Sequence, residues 1–183
     1  MTNRLVVLNG RLSGTSGSLT KTGLGTLEFA ANAANTYPGT TLVQQGNLWL
    51  SKTNVLAVPG PLVVGTGSGP ANSVIVELLQ PGQLDPAAAV TLNSDGLLDV
   101  VPTTSSSAGS LSGSGELGFA QFTVGSDNTS NVFSGPIFGL GTSLAPASWV
   151  NLGPVTANNL GALVFTDAQA GLLPQRFYRF VSP

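Results

Sequence analysis

The 183-residue chain has no cysteine and no histidine, and charged residues make up only 8% of it. Each absence narrows the chemistry. Without cysteine there is no disulfide framework, no thiolate nucleophile and no cysteine-ligated zinc. Without histidine, a serine nucleophile would have to take lysine as its base. An average soluble protein is about 25% charged, so this surface must be built from Ser, Thr, Asn, Gln and Gly. The basic residues Arg4, Arg11, Lys21, Lys52, Arg176 and Arg179 are scattered, and net charge is −2. No basic stripe exists to neutralise a phosphate backbone, which disfavours nucleic-acid binding. Long apolar runs are missing too. Leu5-Val6-Val7-Leu8 and Val74-Ile75-Val76 are strand-sized, far below the roughly 18 residues of a membrane-spanning helix. The opening Met1-Thr2-Asn3-Arg4 does not read as a secretory signal, so the expectation is either a piece of a longer precursor or a protein that stays inside.

What the chain does contain is a rhythm. Hydrophobic residues reach 42% despite 24 Gly and 12 Pro, which argues for a packed core rather than disorder. Gly-x-Leu recurs at Gly10/Leu12, Gly17/Leu19, Gly25/Leu27, Gly46/Leu48 and Gly60/Leu62, then at Gly82/Leu84, Gly96/Leu98, Gly109/Leu111, Gly115/Leu117 and Gly161/Leu163. A glycine at a sharp corner followed two residues on by an inward leucine is the start of a short strand. Leu48-Trp49-Leu50, Leu27-Glu28-Phe29 and Leu98-Asp99-Val100 then alternate in, out, in. Thr41-Leu42, Gly46, Leu48 and Leu50 return fifty residues later as Thr91-Leu92, Gly96, Leu98 and Val100. A weaker echo near ninety-five residues pairs Leu27-Glu28-Phe29 with Phe122-Thr123-Val124, and Tyr37-Pro38-Gly39 with Phe133-Ser134-Gly135. No helical period persists; residues 85–90 are the one place for a short helical turn, and residues 54–58 suggest a non-strand corner.

These features predict an all-β fold in which short parallel strands stack as a β-solenoid. At roughly 20–25 residues per coil, residues 5–140 supply about six coils and a stack on the order of 30 Å tall. Two units are expected: a solenoid domain over residues 1–141, and a C-terminal antiparallel β cap or small module over residues 142–183. The second concentrates Trp149, Phe165, Phe177, Tyr178, Phe180, Arg176 and Arg179.

One stretch is specific enough to compare with a family. Leu19-Thr20-Lys21-Thr22-Gly23-Leu24-Gly25-Thr26-Leu27, followed by Asn35-Thr36-Tyr37-Pro38-Gly39-Thr40-Thr41 and Gln45-Gly46-Asn47-Leu48, closely resembles the autotransporter-associated β-strand repeat, also called the passenger-associated transport repeat. Looser similarity runs through residues 60–65, 93–99 and 109–115. The resemblance implies a right-handed parallel β-helix in a large secreted or surface-displayed bacterial protein, where the repeat builds a stalk and assists export. The chain departs from autotransporters in showing no signal segment and no C-terminal membrane barrel.

Chemical motifs are few. Gly113-Ser114-Gly115-Glu116-Leu117-Gly118 satisfies a dinucleotide fingerprint formally, but a strand pattern follows where a helix is required, so it reads as a corner. Gly65-Thr66-Gly67-Ser68-Gly69 is a loop without a phosphate-binding lysine. Asp95 and Asp99 would stand ~13 Å apart on one strand, too far for paired-carboxylate glycosidase chemistry. Ser51 and Lys52 would face opposite ways and read as solvated strand-end residues. Asn93-Ser94-Asp95-Gly96 resembles four residues of a calcium loop but lacks the further ligands, and reads as a tight turn. No catalytic residue, metal site or cofactor is assigned. Trp49, pointing outward, either stacks on a sugar ring or is covered by a neighbouring loop. Leu5, Val6, Val7 and Leu8 form an apolar first strand at a poorly capped end, a candidate surface for self-association.

The expected function is therefore a non-enzymatic structural module of an extracellular or cell-surface bacterial protein. Its partners would be other copies of itself or adjoining domains of a longer precursor, with neither nucleic acid nor membrane insertion. A carbohydrate-binding or adhesin module, with a glycan as partner, is the alternative, and a polysaccharide-degrading enzyme comes third.

Overall fold

A computed structural model of the chain describes residues 4–129 and 131–139. The chain divides into two units, Met1–Leu144 and Ala145–Pro183. The second unit, and with it the antiparallel cap expected over residues 142–183, lies outside the described residues.

The described residues form strands and no helix, and every strand pair is parallel. One seven-stranded sheet takes the order β1 (Leu5–Leu8), β3 (Thr26–Phe29), β5 (Gly46–Leu50), β7 (Val74–Leu78), β9 (Gly96–Ala108), β11 (Glu116–Val124) and β12 (Ile137–Gly139). A five-stranded sheet runs β2 (Leu19–Lys21), β4 (Thr41–Val43), β6 (Leu62–Val64), β8 (Ala89–Leu92) and β10 (Ser110–Gly113). From β1 to β11 the chain alternates between the two sheets, and β11 and β12 then both join the larger one, giving a β-solenoid of about six turns. The register shows how far the chain travels per circuit: Thr26 pairs with Asn47, Asn47 with Ile75, and Leu97 with Glu116. The middle circuit is the longest of these three, because it carries the loop of residues 65–69. With ~4.8 Å between strands, six steps across the larger sheet rise about 29 Å.

The in-and-out alternation expected from the sequence is the observed one. Leu48 and Leu50 of β5, Val76 and Leu78 of β7, and Leu98 and Val100 of β9 are fully buried. They stack in register along the inner face, continuing to Leu27 and Phe29 of β3. In the opposite sheet Val43, Val64 and Leu92 form the facing column. All nine described leucines of the Gly-x-Leu pattern, Leu12 through Leu117, are buried or packed on this core. Each fully buried aliphatic side chain contributes about 1.5–3 kcal/mol through removal from water, and burial in files makes every rung depend on the next.

Corner glycines stack as well. Gly25, Gly46, Gly96, Gly115 and Gly135 occupy one corner column, interrupted by Val74. Gly46 has φ 64°, and a Cβ there would lie 2.6 Å from the carbonyl carbon of Leu24. The left-handed backbone and the close approach of the coil below both require glycine at this position.

Three expectations are corrected. The fifty-residue repeat holds in the large sheet, where Gly46, Val74 and Gly96 align, but slips by one in the small sheet. There Thr41 aligns through Leu62 with Val90, and Leu42 through Val63 with Thr91. The cause is the connection. Two residues join β4 to β5, whereas three, Asn93, Ser94 and Asp95, join β8 to β9. The echo near ninety-five residues is not a structural equivalence: Leu27 aligns through Leu48, Val76 and Leu98 with Leu117, and Gly135 belongs to the corner of Gly115 rather than that of Gly39. Residues 85–88 form a turn, not helix, and residues 89 and 90 already belong to β8. The Asp85 carboxylate accepts from Ala87 N (2.8 Å) and its carbonyl from Ala88 N (2.9 Å), after which β8 draws the chain into the sheet. Residues 54–58 are a corner as expected, with Asn54 at φ 55°.

The third side of the coil is irregular in the earlier turns and becomes strand only late. β9 and β11 bend round the corner together. Leu97–Val100 pairs with Glu116–Phe119, and Ser105–Ala108 then pairs with Gln121–Val124. From Val100 to Ser105 is five positions, against two from Phe119 to Gln121, so β9 carries three extra residues at the bend.

Candidate functional site

The outer face of the large sheet carries the residues that alternate away from the core. Glu28, Trp49, Glu77 and Asp99 stand on consecutive strands at one register position. Trp49 is half-buried, with Nε1 donating to Glu77 Oε1 at 2.9 Å; Ser51 Oγ donates to Glu28 Oε1 at 2.6 Å. Burial, and then the negative charge of Glu116, push the Asp99 carboxyl above its ordinary pKa. The ladder thus places one aromatic ring among carboxylates.

Asp95 and Asp99 do not share a face. Asp95 is 1% exposed and sits beneath the loop of residues 65–69. Its Oδ1 accepts from Gly67 N at 2.7 Å, and Oδ2 accepts from Thr66 N (3.2 Å), Thr66 Oγ1 (3.2 Å) and Gly69 N (3.1 Å). Burial alone would raise its pKa, but the N–H groups of Gly67, Thr66 and Gly69 together hold it below the ordinary value. Both carboxylate oxygens are spent on protein donors. The tight turn resembling a calcium loop is therefore the anchor of a neighbouring loop. Among the described residues no group of three or more acidic side chains has metal-binding geometry.

Lys52 corrects the expectation of a solvated strand end. It is fully buried, and Nζ donates to the carbonyls of Gly10 (3.0 Å), Ala30 (3.0 Å) and Ala33 (2.9 Å), tying together two earlier coils. Burial lowers its pKa. Its own backbone N–H donates to Gln83 Oε1 at 2.9 Å, and Gln83 Nε2 returns a bond to the Lys52 carbonyl at 2.7 Å. Asn35 does the same between other turns, accepting from Leu12 N (2.9 Å) and donating to Ala57 O (2.7 Å). These side chains are staples between rungs. Ser51, bonded to Glu28 and turned outward, does not meet Lys52 Nζ in any hydrogen bond.

Among the described residues the first rung is open. Strand β1 pairs with β3 along one edge and is the terminal strand of its sheet. Leu5, Val6 and Val7 are 51%, 54% and 41% exposed, and Leu8 is half-buried. Val6 belongs to the inward column that continues through Leu27 to the fully buried Leu48.

A third surface was missed in the sequence. Where β9 and β11 turn onto the third side, a groove of about 350 Å³ opens against the preceding coil. Leu56, Leu84 and Pro86 supply apolar lining; Ser105, Ser107, Gln121 and Thr123 supply hydroxyls and an amide. Ser106 also borders it, 7% exposed, and its Oγ is the buried side-chain polar atom without a partner among the described residues. The run Thr103-Thr104-Ser105-Ser106-Ser107, five hydroxyls where the pattern otherwise puts apolar residues, was the available signal.

Comparison with protein-family profiles, curated proteins and solved structures finds no match to this chain. The class that stands is structural: a parallel β-solenoid.

Proposed function

We propose that this chain is a non-enzymatic structural module of an extracellular or cell-surface bacterial protein, a stalk- or fibre-forming solenoid that associates end to end through β1. The cell-surface part of the reading rests on the resemblance of residues 19–50 to the autotransporter-associated repeat. The observation that carries the structural part is Val6. Its side chain points along the core column yet is 54% exposed, while Leu48, Val76 and Leu98 of the same column are 0% exposed. An inward position with no rung over it among the described residues, on the outer edge of a terminal strand, is completed by one more β rung. For the chain in isolation a second copy supplies that rung.

Sedimentation velocity over a concentration series, with negative-stain micrographs of the same samples, tests this. Concentration-dependent association that disappears in Val6→Asp, with an unfolding midpoint close to the parent's at concentrations where the parent is monomeric, is the expected result. A monomer at every concentration refutes it.

A second reading is favoured by the outer ladder: a carbohydrate-binding or adhesin surface centred on Trp49, whose ring lies between Glu28 and Glu77 in register. Glycan-array binding that is lost in Trp49→Ala supports it, and binding that survives the substitution removes it.

A further inference from the structure

We infer that the groove at the bend of β9 and β11 is a binding site for a neutral saccharide, separate from Trp49 and independent of end-to-end association. The argument starts from what lines it. Leu56, Leu84 and Pro86 give an apolar surface, and Ser105, Ser107, Gln121 and Thr123 give short neutral donors and acceptors. Among the described residues no charged side chain contributes to the lining. A ligand recognised by charge would find no counter-charge there, and a purely apolar one would strand hydroxyl and amide groups without partners. A sugar ring has both characters at once, C–H groups on its faces and hydroxyls round its edge. The groove, open to solvent along one side, offers about 350 Å³. That volume is at the small end of ligand pockets, which suits one or two sugar rings rather than a large cofactor.

One further feature distinguishes it from an incidental crease. The opposite rim is fixed in advance. Asp85 holds the turn through Ala87 N and Ala88 N, and Ser126 Oγ donates to the Pro86 carbonyl. A rim that is already ordered loses little freedom on binding. The described lining offers no aromatic ring to stack on, so affinity is modest. A dissociation constant on the order of 1 mM is expected.

The test is an NMR titration of the full chain with cellobiose, lactose, maltose and chitobiose in turn, and digalacturonate as the charged comparison. At least one neutral disaccharide is expected to shift the amides of Ser105, Ser107, Gln121 and Thr123 saturably. Gln121→Ala, at an exposed position, is expected to weaken that binding about tenfold without changing the unfolding midpoint. Ser105→Ala, also at an exposed position, is expected to weaken it while leaving the free protein as stable as the parent. Trp49→Ala is expected to leave it unchanged. The inference is overturned if none of the neutral sugars shifts these amides, if digalacturonate binds as well as they do, if the shifts map to β5 instead, or if Gln121→Ala and Ser105→Ala bind like the parent.

Discussion

Replacing Asp95 by Asn keeps the size of the side chain and changes the one property its site uses. The carboxylate accepts from three backbone N–H groups and a hydroxyl of the 65–69 loop. An amide keeps one oxygen, which serves Gly67, and turns an NH2 toward the N–H groups of Thr66 and Gly69. Each donor left facing a donor costs about 1–3 kcal/mol when fully buried. Residues 66–69 are exposed, so water recovers part of that, and the low end applies. Two such donors plus the lost charge assistance give about 2–3 kcal/mol. Urea unfolding at neutral pH measures the loss, and hydrogen exchange at residues 66–69 locates it. The pH dependence has a definite sign. The folded-state pKa of Asp95 is depressed, so its contribution is fully present above the unfolded value of about 3.9. It is lost as pH falls from there through the folded value. The parent and Asp95→Asn should therefore differ at pH 7 and converge in acid below about pH 4. A difference under about 0.5 kcal/mol at neutral pH, or one that persists undiminished in strong acid, refutes the reasoning.

Two further substitutions probe the rungs. Lys52→Met removes the ammonium from the carbonyls of Gly10, Ala30 and Ala33; the relief of desolvation offsets part of the loss, leaving about 2–3 kcal/mol of destabilisation in urea unfolding. Gly46→Ala combines a positive φ with a Cβ that would lie 2.6 Å from Leu24, which amounts to about 3 kcal/mol; thermal denaturation should show it, whereas Gly10→Ala, with open space around it, should change little.

The sequence foretold the coil because its two rules are local. A glycine turns the corner, and the leucine two places later points in; both can be read at Gly46 and Leu48 with no knowledge of the next turn. The one-residue slip of the small sheet could not be read that way. Matching Leu42 with Leu92 sets like on like, while the true partner of Leu92 through Val64 is Val43. The slip is visible only as an extra residue before β9, and that residue is Asp95, whose role depends on a loop one circuit earlier. Lys52 was misread for the same reason. In Ser51-Lys52-Thr53-Asn54 it looks like surface, yet its partners are carbonyls of two preceding turns. Trp49 was placed outward correctly, because alternation along β5 settles it. The groove escaped notice since it exists only where two bending strands meet an older coil.

Pairing each strand with the one a single circuit away also governs how such a molecule can be built and taken apart. No contact between neighbouring rungs asks the chain to close a loop much longer than that circuit, and the entropy of closure grows only slowly with length. Growth by adding one circuit at a time onto a formed stretch is therefore an accessible route, and loss in the reverse order begins at whichever end has the weaker last circuit. The exposed β1 is such an end: a neighbour laid across it would work as a brake on unravelling as well as a joint.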